Sequence, residues 1–276
     1  MTDAIDRCPV CGQAHEGPEG PIFSRLWIYT NYDCNLACSY CLVSSSPRAE
    51  RRGLSAATFA QVIDEAAELG CREVFLTGGE PALLPRIVEM IAYALPRMRV
   101  TMLTNGMLWK GARLSRLESL REHPDSGRLT LQISLDSGSP EIHDRNRGAG
   151  TWAKTVAGIH LLRDRGFSVR TGTTETTHSA EQMEELRAFL TGLGIPPQDQ
   201  IVRELVARGE SRNGAVLTGA DLVPEMTVDV NGVYWHPIMG EDLRITESIF
   251  PLRAAAAQLG RLWHTISGQS GALVFR

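Results

Sequence analysis

Three cysteines inside eight residues constrain this chain more than any other feature. Cys34, Cys38 and Cys41 stand in the run Tyr32-Asp-Cys-Asn-Leu-Ala-Cys-Ser-Tyr-Cys41, spaced C-x3-C-x2-C, directly after the apolar, strand-like segment Leu26 to Tyr29. Three thiolates this close can each hold one iron of a [4Fe–4S] cluster. The loop has no fourth cysteine. One iron is therefore left for a non-protein ligand, and an open coordination position marks catalysis more than structure. The competing readings are a zinc knuckle or a few buried cysteines. Zinc usually takes four protein ligands and favours paired C-x2-C halves.

Beyond the loop, strand and helix patterns alternate. Ser55 to Leu69 reads as a helix with Ser55 as N-cap, Phe59, Val62, Ile63, Ala66 and Leu69 on its apolar face, and Gly70 as the stop. Val74 to Thr77 is a short buried strand running into Gly78-Gly79-Glu80-Pro81. Pro85 to Ala94 reads as a helix with proline in its first turn. Val100 to Leu103 is a strand ending in Thr104-Asn105-Gly106, and a helix follows over roughly 108–120. Leu129 to Leu135 is a strand ending in Asp136-Ser137-Gly138. Thr155 to Arg165 is a helix closed by Gly166, Phe167 to Thr173 a strand, Glu181 to Leu190 a helix, and Ile201 to Val206 the sixth strand.

Strands separated by helix-length crossovers imply an α/β chain, a parallel sheet with helices outside it. Six such units fit a (β/α)6 partial barrel, and a fully open sheet fits the alternation too. In barrels the loops at the C-terminal strand ends build the site, and the Gly-rich and polar punctuation falls there. Thr227 to Trp235 reads as a β-hairpin with Asn231-Gly232 as a type I′ turn, followed by a helix near Leu252 to Trp263. The division expected is a CxxC segment over 1–23, a barrel over 24–210 and a small hairpin-and-helix extension over 211–276.

The strand ends carry the chemistry. At Gly78-Gly79-Glu80 glycines let backbone approach a ligand, and a strand-end carboxylate can hold an ammonium. Thr104-Asn105-Gly106 alone reads as a turn. Ser134-Leu-Asp136-Ser137 offers hydroxyls and an acid that can bind ribose or carboxylate oxygens. Arg147 in Arg147-Gly148-x-Gly150 suits a carboxylate bidentately, with Arg145 a near competitor.

Taken together, these segments resemble the radical S-adenosylmethionine (SAM) enzymes. The resemblance covers about residues 24–210 and implies that family's partial barrel. It also implies a [4Fe–4S] cluster on Cys34, Cys38 and Cys41, with SAM chelated at the open iron and cleaved reductively to a radical that takes a hydrogen atom from substrate. It places the SAM amino group at Gly78, Gly79 and Glu80, its carboxylate near Thr104 and Arg147, its ribose at Ser134 and Asp136, and its adenine against Tyr40 and Val206. A flavodoxin- or ferredoxin-type electron donor is implied as well. The hairpin resembles the start of a SPASM or twitch extension, a type of radical SAM addition that carries auxiliary-cluster cysteines. No cysteine follows Cys71 here, so no auxiliary cluster is expected from this segment.

Composition bounds the rest. The 276 residues carry 28 Lys and Arg against 32 Asp and Glu, a net charge of −4, with no dense basic stripe, so a nucleic-acid substrate has little support. No signal peptide and no run of about 18 apolar residues is visible, which points to the cytoplasm and away from membranes. Cys8-Pro-Val-Cys11-Gly, with His15 nearby, is half a zinc knuckle and offers a second metal site, zinc among the options. Cys71 reads as a core cysteine. His236 reads as a packed histidine. The extension favours a peptide or natural-product substrate, with a small molecule or nucleotide as runner-up. A non-catalytic iron–sulfur or zinc sensor or electron carrier explains the cysteines but not the strand-end motifs.

Overall fold

The computed structural model describes residues 16–17, 20–21, 24–176, 178–218, 221–238 and 240–267. Cys8, Cys11 and His15 lie outside them. Six parallel strands run in chain order: β1 (Arg25–Tyr29), β2 (Glu73–Thr77), β3 (Arg99–Thr104), β4 (Leu129–Ser134), β5 (Ser168–Glu175) and β6 (Gln200–Glu204). Helices α1 (Ala56–Glu68), α2 (Ile87–Ala94), α3 (Ala112–Ser119), α4 (Pro140–Arg147), α5 (Thr151–Asp164) and α6 (Ala180–Gly192) fill the crossovers. This is the (β/α)6 partial barrel. The alternation of each strand divides the work: Leu26, Ile28, Val74, Leu76, Val100, Met102, Leu131 and Ile133 are buried in the core shared with the helices. Their neighbours turn the other way. There Trp27 stacks on Phe75 at 4.4 Å, and Arg170 Nε donates to Gln132 Oε1 at 2.8 Å. The apolar face holds the barrel together, each large side chain contributing about 1.5–3 kcal/mol. The other face is left for polar function.

The C-terminal segment joins the same sheet. Strand β7 (Thr227–Asp229) pairs parallel with β1, then β8 (Gly232–Tyr234) and β9 (Arg244–Thr246) add antiparallel. Helix α7 (Leu252–Ser267) follows, and the Leu252 N–H donates to Glu65 Oε2 of α1 at 2.6 Å. No helix among the described residues is long and apolar enough to cross a membrane.

Several boundaries differ from the sequence reading, each for a local reason. Helix α2 starts at Ile87, after a 3-10 turn over Pro81–Leu83. Leu84 is extended, as the residue before a proline prefers, so Pro85 lies outside the helix. Helix α3 starts only at Ala112, behind Gly111 at φ 53°. Helix α5 starts four residues earlier than its apolar pattern. Its cap comes from α4: the Asp144 carboxylate accepts the Gly150 and Trp152 N–H groups at 2.6 and 2.7 Å. Helix α4 itself was not read from the sequence. Strand β6 stops at Glu204, because the chain turns to bridge Val206 with Ala215. The hairpin turn is not type I′. Gly232 pairs with Asp229, so Val230 and Asn231 form the loop. Asn231 keeps a negative φ, and Gly232 takes the positive one at 137°. The Asp229 carboxylate accepts the Asn231 N–H at 2.7 Å and fixes that turn.

Candidate active site

The C-terminal strand ends open onto a cavity of about 200 Å3. Cys34, Cys38 and Cys41 line it, and so does every residue expected around the ligand except Asp136. The three thiols are free. Cys34 Sγ accepts the Leu36 N–H at 3.4 Å and Cys41 Sγ accepts the Ser45 N–H at 3.2 Å. Burial pushes the Cys34 thiol up to about 12 and raises that of Cys38, so thiolates here need a cation beside them. Among the described residues no three His, Cys, Asp or Glu side chains converge on one ion. A single zinc needs that convergence. A cubane does not, because it offers a separate iron to each thiolate. The residues present fit the cluster.

Four later segments grip the cysteine loop. The Gly79 N–H donates to Asn31 O at 2.8 Å and the Glu80 N–H to Asp33 O at 3.0 Å. The Asn31 amide closes the joint, donating to Asp33 O and Glu80 O at 2.9 and 3.1 Å. A Cβ on Gly79 would run into the Asp33 carbonyl, and one on Gly78 (φ 150°) would meet Asn31 O at 2.5 Å. The close backbone approach expected of these glycines is therefore an approach to the cysteine loop. From α4, Asn146 O accepts the Ser39 N–H at 2.9 Å. Past β6, the Glu210 N–H donates to Cys41 O at 3.0 Å. From the hairpin, buried Asp229 accepts the Tyr32 hydroxyl.

Two buried carboxylates organise the cavity wall. Glu80 accepts from Ala82 N (3.0 Å), Thr104 Oγ1 (2.6 Å) and Asn105 N (2.7 Å). Burial raises its pKa against those donors. A carboxylate offers about four acceptor positions, so one remains for an ammonium. Asp136 takes Arg147 bidentately at 2.8 and 3.2 Å, with the Tyr40 hydroxyl and the Thr174 N–H as further donors. Burial opposes its ionisation, but Arg147 and Tyr40 outweigh burial and hold it below the usual carboxylate range. Asp136 thus stands behind the wall as the anchor of Arg147 and Tyr40. Arg145 points away and pairs with exposed Glu141 at 3.0 Å. Ser134 lines the cavity, as does Val206 past the end of β6. His236 is buried, its Nδ1 accepts the Ile238 N–H at 3.3 Å, and burial lowers its pKa to about 3.

The family model described as the Radical SAM superfamily matches residues 28–191, more than half of the chain. The chain belongs to that superfamily. Radical SAM membership makes it an enzyme and implies a [4Fe–4S] cluster and S-adenosylmethionine. Among curated proteins, the mycofactocin maturase MftC of Mycobacterium ulcerans is 32% identical over 94% of this chain and 67% of its own length. The PqqA peptide cyclase of Ruegeria pomeroyi is 31% identical over 58% of this chain and 42% of its own. The chain thus spans about two thirds of the first and under half of the second. The solved structure of anSMEcpe with bound AdoMet shares the fold at a TM-score of 0.63, with 14% identity, 88% of this chain and 82% of that one covered.

Within this radical SAM site, sequence reading missed Asn31, Asn146 and Asp229. Asn146 and Asp229 grip the loop from far along the chain, Asn31 joins the loop to Glu80, and no local spacing marks any of the three. Asn105 was visible in Thr104-Asn105-Gly106 but read as a turn. Its side chain donates to Asn35 Oδ1 at 2.8 Å, inside the cysteine loop.

Proposed function

We propose that this radical SAM chain cleaves S-adenosylmethionine reductively and abstracts a hydrogen atom from a peptide substrate. The observation that carries the chemistry is the cavity itself, lined by three free thiols together with the glycine pair, Glu80, Thr104, Ser134 and Arg147. Cys34, Cys38 and Cys41 would hold the cluster. When bound, the cluster and SAM supply the electron and the hydrogen-abstracting radical. The chain's own groups bind and orient. The free acceptor position of Glu80, with the Gly78–Gly79 backbone, receives the SAM ammonium. Arg147 keeps N–H groups beyond its pair with Asp136 and presents them to the carboxylate, with Thr104 beside it. The Ser134 hydroxyl meets the ribose, while Tyr40 and Val206 flank the adenine. Asp136 orients Arg147 and Tyr40.

Two relatives favour a peptide: one is named a maturase, the other a peptide cyclase. The same reading includes a flavodoxin- or ferredoxin-type donor, a cytoplasmic enzyme, a barrel over 24–210 with an extension over 211–276, and a peripheral metal, zinc for example, at Cys8 and Cys11. The test is anaerobic reconstitution followed by reduction with dithionite in the presence of SAM. Wild type should bind about four irons in this loop and release 5′-deoxyadenosine, and the triple Cys34/Cys38/Cys41→Ala variant should do neither. Cleavage by the triple variant would sink the assignment. For the substrate, deuterium should pass from a labelled candidate peptide to 5′-deoxyadenosine. Transfer from a small molecule alone would overturn the peptide reading.

A further inference from the structure

Ser45 follows the three cysteines and is absorbed by none of the roles above. Its N–H donates to Cys41 Sγ at 3.2 Å. Its residue is 4% exposed, its hydroxyl is fully buried without a hydrogen-bond partner in the structure, and it lines the cysteine-walled cavity. A buried hydroxyl left unsatisfied costs about 1–3 kcal/mol, so the occupant of the cavity is its natural acceptor. The backbone beside it is strained. Ser44, at φ 52°, is the one non-glycine residue with positive φ among the described residues. Such strain persists only where the surroundings hold it, and it gathers at functional sites. Here the surroundings are explicit: Ser46 bridges Asp33, and Ser46 O accepts the Cys34 N–H at 3.2 Å. The limb that carries Ser45 is therefore fixed on one side to the Cys34 backbone and on the other to the Cys41 sulfur.

We infer that Ser45 is a positioning and tuning residue of the cluster, its hydroxyl donating a hydrogen bond to a cluster sulfur beside Cys41. The inference rests on the cluster reading above. One-electron reduction adds a negative charge to the cluster's sulfurs and irons. A donor aimed at a sulfur stabilises the reduced form and raises the reduction potential. Removing it lowers the potential and makes the cluster harder to reduce. No bond to Ser45 forms or breaks.

The test uses the full chain, reconstituted anaerobically, in a redox titration followed by EPR without SAM or substrate. Ser45→Thr keeps the hydroxyl, and Ser45→Val has the shape of the threonine with a methyl in place of that hydroxyl. The threonine variant should titrate with wild type. The valine variant should shift to more negative potential by at least twofold in the oxidised-to-reduced ratio, about 18 mV at about 59 mV per decade for one electron. Equal potentials for the two variants overturn the inference, as does an unchanged potential with weakened SAM binding, which would make SAM the acceptor. If valine loses iron while threonine keeps it, the hydroxyl is needed by the cluster and the inference stands. If both lose it, the inference falls. Failure of the cluster reading would look different: wild type itself would carry no [4Fe–4S] signal.

Discussion

At Gly79 the position of one hydrogen decides whether the cysteine loop can close. Alanine there would push its methyl into the Asp33 carbonyl. Gly79→Ala should cost about 1–3 kcal/mol and lower iron loading even when no SAM is present. Normal iron content with lost SAM affinity would mean that the ligand, not the loop, requires the glycine. The two arginines of α4 make a second contrast. Arg147→Ala leaves the Asp136 carboxylate buried without its cation, a loss of about 3–5 kcal/mol. Arg145→Ala removes a solvent-exposed pair and should change stability by about 1 kcal/mol or less. Denaturation of both variants, with SAM binding by calorimetry, checks this, and equal losses would refute it. These side chains also show how far sequence reading reaches. Cys34 stood out by its spacing to Cys38 and Cys41, whereas Gly78, Gly79 and Arg147 stood out by their placement in motifs at successive strand ends. The pairing of Arg147 with Asp136 was not legible, since it depends on how α4 turns back over the end of β4. Asn31 was hidden for the same reason, because its amide matters only once Glu80 has folded against it.

Among elements, most barrel strands were readable because they are short, largely apolar runs bounded by glycine or a polar turn; β5, with Val169 its one large apolar residue, fits only the alternation of the units. Helix α4 was not readable. Of its eight residues only Ile142 and His143 are buried, too few to give a period, and its work lies at its ends. Asp144 caps α5, and Asn146 holds Ser39. The hairpin was readable as a hairpin, but its tie to the cysteine loop was not. Tyr32→Phe tests that tie. It keeps the ring, which stacks with Tyr29 at 6.5 Å beneath the Arg52 guanidinium, and removes only the hydroxyl that Asp229 accepts. Stability should fall by about 1–3 kcal/mol, and iron should pass to a chelator faster than from wild type. An unchanged rate of iron loss would show that the hairpin does not hold the loop.

On the scale of the whole molecule, the polar layer behind the cavity couples folding to pH. His143 is fully buried, and its Nδ1 accepts the Asp136 N–H at 3.2 Å. Burial, with Arg147 adding to it, lowers its pKa to about 4. An unfolded chain has this group near 6.5. Between those values the unfolded state takes up a proton that the native state refuses, so stability falls as pH drops from about 6.5 toward 4 and is unaffected by this group above that window. His143→Gln keeps an acceptor for Asp136 N–H and removes the titration. Between pH 7 and 5 wild type should lose about 2 kcal/mol more than this variant in urea unfolding, and parallel losses would exclude His143 as the cause. The four-sided grip on the cysteine loop has a consequence for how the protein is made. The hairpin carboxylate that completes the hold on the loop comes 197 residues after Tyr32. At about 5–20 residues per second the three thiols wait about 10–40 s for their last partner. Iron delivered in that interval would meet a cradle that still lacks its last side.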